Sequence, residues 1–236
     1  TSCRFSFPLA GGNTCGPAKP VPRCFAKTPA LIAGRRDVSD IPLPRLHLLG
    51  DAALLCELPA PATLAQQQRI WALAEHARQW PGVGETLPGM NNLTLTFDPT
   101  AIDLDTLTAN VLEAWPGLAA GAVSGRLVEI PVAYGGEHGP DLADVAAHTG
   151  LTPAEVVRRH SGGEYIVYLL GFLPGFAFMG GLPPELATPR RAEPRTAVPA
   201  RSVGIGGEQT GIYPLVSPGG WQLIGRTSLE LFDPAA

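Results

Sequence analysis

Four blocks dense in glycine and proline dominate the second half of the chain, in the order YGGEHGPDL (Tyr134–Leu142), LGFLPGFAFMGGL (Leu170–Leu182), GIGGEQTGIYP (Gly204–Pro214) and SPGGWQLIGRT (Ser217–Thr227). Glycine loses more freedom on folding than any other residue, so this density has to serve a purpose. It marks backbone that turns with positive φ, or backbone that something approaches closely. With polar and aromatic residues interleaved, the blocks predict a built site and a fold of short strands between tight turns. A barrel suits that pattern.

Ahead of the blocks the hydrophobic period is regular. Arg45–Leu49 and Ala52–Leu58 read as short strands around Gly50-Asp51. Thr63–Gln79 reads as a helix, because Ile70, Leu73, Ala74 and Ala77 recur at helical spacing and Pro81-Gly82 ends it. Gly84–Met90 and Leu93–Phe97 follow as strands, Asp103–Trp115 as a second helix, and Arg126–Val132 as a further strand. That order predicts a small α+β domain over 41–130, with helices on one face of an antiparallel sheet. Thr152-Pro153-Ala154-Glu155 is a capping box that opens a helix through Arg159. Glu164–Phe172 is apolar on both faces and reads as a buried central strand. A mostly-β domain is expected over 131–236.

Residues 1–40 have a different character. They hold six basic residues against two acidic ones, three of the four cysteines (Cys3, Cys15, Cys24), and no hydrophobic period. No C-x-x-C pair is present, so zinc is not indicated. The segment is expected to be disordered or a non-native extension, with the true start near Val38, and to be dispensable. Both lysines, Lys19 and Lys27, also lie in it. From Asp40 onward Schiff-base chemistry and a Walker-type lysine are therefore excluded, and an anion must be met by Arg or by backbone N–H groups. The net charge of −4 argues against a nucleic-acid partner. No run of 18 apolar residues suggests a membrane span. Cys56 as the one cysteine after residue 40 suits a reducing cytoplasm.

Several constellations offer chemistry. Glu137 sits with His138 on a glycine turn, where a carboxylate can act as acid or base or simply face solvent near a helix start. His160 follows a helix and precedes the central strand, so a site role and a helix-end electrostatic role both fit. Phe172, Phe176 and Phe178 form either a core plug or an apolar wall for a flat ring. Of Arg190, Arg191, Arg195 and Arg201, the last two flank the PRTAVPARSVGIGG stretch and are favoured as a fork for carboxylate or phosphate. The glycines of Gly204–Gly211 match no nucleotide fingerprint. The candidates are Glu137, His160, Gln209 and Arg226 for catalysis. For binding they are Phe176, Arg195, Arg201, Tyr213, Gly219, Gly220 and Trp221. No metal site is expected.

The four blocks together, most sharply QTGIYP followed by SPGGW, resemble the family of bacterial 5-oxoprolinase B subunits. The family also includes KipI, a histidine-kinase inhibitor, and is similar to the carboxyltransferase region of urea carboxylases. The resemblance runs from about Leu43 onward. It implies a cyclophilin-like β-barrel for the second half. It implies ATP-dependent opening of 5-oxo-L-proline to L-glutamate, shared with the A and C subunits of 5-oxoprolinase, with ATP and Mg2+ in the assembled complex. A lactam amide is a poor electrophile, and phosphorylating its oxygen gives water a better target. A kinase inhibitor and a urea or allophanate carboxyltransferase-related protein are the alternatives; the latter would need a biotinylated partner.

Overall fold

The computed structural model describes residues 2–8, 41–118 and 125–233. Two large sheets, each with its own core, organise these residues, with a two-stranded sheet beside the second.

The first sheet is four-stranded and antiparallel. Numbered in chain order after the N-terminal strand β1 (Ser2–Pro8), its strands are β2 (Arg45–Leu49), β3 (Ala53–Glu57), β4 (Val83–Gly89) and β5 (Asn92–Phe97), in the spatial order β2-β3-β5-β4. Along β5, Leu93, Leu95 and Phe97 are buried, and the residues between them are less so, as a period of two requires. Helices α1 (Leu64–Ala77) and α2 (Leu104–Ala114) contribute Ile70, Leu73, Leu107 and Val111 to the same core. The start of α1 is fixed by a capping box: Thr63 Oγ1 accepts from the Gln66 N–H at 3.2 Å, and Gln66 Oε1 accepts from the Thr63 N–H at 2.8 Å. Asp103 caps α2 by accepting from the Thr106 N–H at 2.7 Å.

The second sheet curls into a closed barrel. Its strands are β1, β6 (Gly125–Tyr134), β7 (Glu164–Leu170), β8 (Ala177–Gly180), β10 (Ser202–Gly206), β11 (Gln209–Ile212) and β13 (Gln222–Thr227), in the order β1-β6-β13-β10-β11-β8-β7. Strands β9 (Arg195–Val198) and β12 (Ser217–Gly219) pair with each other beside it. Helices α3 (Leu142–Thr149) and α4 (Pro153–Gly162) add Leu142, Val145 and Val156 to the barrel core around Ile130, Val203, Ile205 and Ile224. The capping box at Thr152 holds in part: its hydroxyl accepts from the Glu155 N–H at 3.2 Å, while the Glu155 carboxylate turns instead to Arg158 and Arg159.

Two expectations are corrected. Residues 2–8 are not an unstructured extension. They form β1, whose whole length pairs with β6, with Cys3 fully buried; residues 9–40 lie outside the described residues. A single strand carries too few residues for a hydrophobic period to stand out, and its partners lie far along the chain. The strand expected at Arg126–Val132 does form, but it belongs to the barrel rather than to the first sheet, so after β1 the barrel resumes at Gly125. Alternation identifies a strand; it does not say which sheet will pair with it.

Candidate functional site

In three of the four glycine blocks the protein's own rings lie against glycines. A Cβ on Gly206 would lie 2.6 Å from the Trp221 indole, one on Gly211 would lie 2.9 Å from it, and one on Gly219 would meet the Tyr213 hydroxyl. Gly180 and Gly163 are crossed in the same way by Tyr168 and Tyr165. Phe176, Tyr213 and Trp221 are 2%, 2% and 4% exposed and pack with Val198 and Leu223 as a third small core. Their rings meet edge to face, Phe176 lying 5.1 Å from Tyr213 and 5.6 Å from Trp221. Of the three phenylalanines read as a core plug or an apolar wall, Phe176 is part of a core plug with Phe178 packed against it, while Phe172 is exposed. Gly220 is different: its nearest neighbour is Pro194 at 3.6 Å, ordinary contact, so a β-carbon would not crowd this turn.

His160 is also internal. It lies within the last turn of α4 with no exposed surface, and burial pushes its pKa down to about 3, so the ring is neutral at physiological pH. Its partners fix the tautomer. The Thr210 hydroxyl donates to the Gly204 carbonyl at 3.0 Å, which leaves its oxygen to accept from His160 Nε2–H at 2.9 Å. Nδ1 then accepts from the Tyr134 hydroxyl at 2.7 Å, and the Tyr134 oxygen accepts from the Cys3 thiol at 2.8 Å. The Tyr165 hydroxyl donates to the His160 carbonyl at 2.6 Å. This directional chain ties β1, β6, α4 and β11 together and satisfies every polar atom of the ring. It corrects the catalytic reading of His160, because no substrate can reach that imidazole.

Charge gathers instead around Asp141. This residue precedes α3 but does not cap it. Its carboxylate, 3% exposed, accepts from Arg195 Nη2 at 2.7 Å and Arg191 Nη1 at 3.2 Å on one oxygen. The other oxygen accepts from the Leu223 N–H at 2.6 Å, and the Asp141 N–H returns a bond to the Leu223 carbonyl at 2.9 Å. Asp141 is thus held to Leu223 of β13 by backbone and side chain and anchors two guanidinium groups there. Arg190 is exposed, with its guanidinium 5.9 Å from the centre of the Trp221 ring. The Tyr213 phenol below is raised by burial and held back by the Trp221 N–H and by the Arg190 and Arg195 charges. Gly219 and Gly220 border this face, with the Gly220 carbonyl accepting from the Arg191 N–H at 2.7 Å. The result is a preorganised cationic face on a buried carboxylate, able to hold a carboxylate or phosphate.

The other candidates are dispersed. Glu137 is exposed on its turn and pairs with His138 at 3.8 Å. Gln209 opens β11 across the hairpin from Gly206. Arg226 donates to the Ala200 carbonyl at 3.0 Å, and Arg201, in the left-handed region at φ 69°, donates to the Ser228 carbonyl at 3.5 Å. The structure brings Arg195, Tyr213, Gly219, Gly220 and Trp221 together and leaves these four outside. Asp141 was missed, and Arg190 and Arg191 were named but not favoured. An Asp just before a helix looks like an ordinary cap, and Arg190 sits in a run of charge that looks solvated. Among the described residues no three His, Cys, Asp or Glu side chains gather as a metal site would need.

Residues 44–236 match the carboxyltransferase domain, subdomain C and D, and the chain belongs to that family. Curated relatives narrow the placement to the B subunit of 5-oxoprolinase. The Escherichia coli O157:H7 protein of that name is 55% identical over 192 residues, 81% of this chain and 88% of the relative. The Haemophilus influenzae protein of the same name is 49% identical over 185 residues, 78% of this chain and 86% of the relative. Among solved structures, that of TTHA0988 superposes with a TM-score of 0.63 at 36% identity, covering 78% of this chain. The chain spans about a third of that longer protein, 36% of its length.

Proposed function

We propose that this chain is the B subunit of an ATP-dependent 5-oxoprolinase, acting in the cytoplasm with the A and C subunits on 5-oxo-L-proline. The names of its close relatives support the reaction. The feature of the molecule that carries the reading is the cationic face of Arg190, Arg191 and Arg195 on buried Asp141, which suits the carboxylate of 5-oxoproline. Among the described residues around it no nucleophile is paired with a base, which accords with a site completed by a partner. Free, buried Cys3 and Cys56 accord with a reducing compartment.

ATP and Mg2+ are assigned to the assembled complex, with neither held tightly by this chain alone. Gly206, Gly211 and Gly219 face Trp221 and Tyr213 rather than open space for a phosphate. The part assigned to this chain is to bind and orient the substrate's carboxylate, with the ring-opening groups brought by the rest of the complex.

Co-expression with the neighbouring subunits, followed by an assay of glutamate release from 5-oxoproline with and without ATP, tests the reaction. Arg190→Ala tests the site, since Arg190 holds no buried partner. The altered complex is expected to keep its thermal midpoint and raise KM for 5-oxoproline roughly tenfold or more, as loss of one charged contact does. Unchanged kinetics in that complex would move substrate binding elsewhere.

A further inference from the structure

Strand β1 is supplied to the barrel from outside the region that matches the family, which begins at residue 44. It runs antiparallel to β6 from Ser2 opposite Pro131 to Pro8 opposite Gly125, and parallel to β7 from Arg4 opposite Glu164 to Ser6 opposite Ile166. Take it away, and β6 and β7 each present a row of unpaired backbone N–H and C=O groups facing the same gap. That gap has the geometry of a strand-binding groove, with hydrogen-bonding edges on both sides.

The floor of the groove is built without β1. Tyr134 and His160 are joined to each other and to Thr210 by contacts that need no atom of the strand. Cys3 adds the last member, its thiol donating to the Tyr134 oxygen, and it is fully buried among the barrel core. Recognition therefore rests on an extended backbone paired on both edges, with the small, weakly polar Cys3 side chain buried at the third position.

Sequence separation sets the order of assembly. Cys3 lies 131 residues from Tyr134 and 157 from His160, and no hairpin can deliver a strand to a parallel neighbour. The cost of closing such a long loop is recovered only once β6, α4 and β7 stand in place. A strand that docks last on a formed groove is expected to be the first to open.

We propose that the groove between β6 and β7 is a strand-acceptor site, that Ser2–Pro8 fills it as a detachable strand, and that it takes the same strand in trans from a second copy of this chain. Exchange of an identical element between copies is a low-cost route to association.

The test uses the full chain with a protease site introduced within residues 9–40, folded first and then cut. A fluorescent peptide carrying residues 1–10 stands for the strand of the second copy. The cut N-terminal piece is expected to stay bound through gel filtration and to exchange with excess labelled peptide. Once stripped of the piece, the protein should have a lowered thermal midpoint, restored by the peptide. A peptide with Asp in place of Cys3 is expected to bind at least 100-fold more weakly, since it brings a carboxylate to a buried thiol's place. If the piece is retained but never exchanges, β1 is a permanent strand and the proposal fails. If it departs with no change in thermal midpoint and the peptide does not bind, the groove is not its site.

Discussion

The neighbouring glycines Gly219 and Gly220 separate two reasons for having no side chain. A Cβ on Gly219 runs into the Tyr213 phenol, whereas one on Gly220 has room. Gly219→Ala is expected to cost about 1–3 kcal/mol through overpacking. Gly220→Ala is expected to stay within about 0.5 kcal/mol of the parent, as surface substitutions do. Urea unfolding of the two variants measures both, and equal losses would contradict the packing seen here. His160 gives a pH prediction. Its folded pKa is depressed to about 3, against an ordinary value of 6.5, so the unfolded chain binds a proton that the folded one refuses. This contribution is whole above about pH 6.5 and is lost as pH falls toward 3, at about 1.4 kcal/mol per pH unit. The His160 ring protons should show no NMR titration between pH 7.5 and 4. A midpoint near 6.5 would mean that the ring meets solvent.

Among the elements, α1 shows how a short motif fixes a boundary. Thr63 and Gln66 satisfy two backbone donors at the first turn, and the helix then buries Ile70, Leu73 and Ala77. Thr63→Ala should cost about 0.5–2 kcal/mol, read as a lower urea midpoint with an unchanged slope. Such boundaries were legible in the sequence because capping and periodicity act within a few residues. β5 and α2 appear where their alternation and spacing put them. Pairing was not legible at the same level. β6 is a clear strand from its own residues, yet it joins the barrel, between β1 and β13, because those edges are the ones offered to it.

For the whole molecule, the sequence by itself determined that this is a mixed α and β chain with an early helix-on-sheet region and a later region of short strands. It also determined the family, through blocks such as QTGIYP and SPGGW that hold their order along the chain. Lys is absent beyond Asp40 and the sequence holds no nucleotide fingerprint, which is the ground for expecting a site completed by a partner. The isolated chain is accordingly expected to release no glutamate from 5-oxoproline and ATP; turnover by the purified chain alone would overturn the shared site. Tertiary structure decided what the residues of the blocks are for. Glycine density signals close approach but not what approaches, and here Trp221, Tyr213, Tyr168 and Tyr165 of the same chain do so. His160 and Asp141 are both polar residues at helix ends and both are buried, and the partners that the fold brings to them make one a neutral core ring and the other an anchor for two arginines. Only the folded chain could place β1, because a strand's pairing depends on edges more than a hundred residues away. Local rules act over a turn of helix or a few strand residues, while burial and pairing are properties of distant segments brought together.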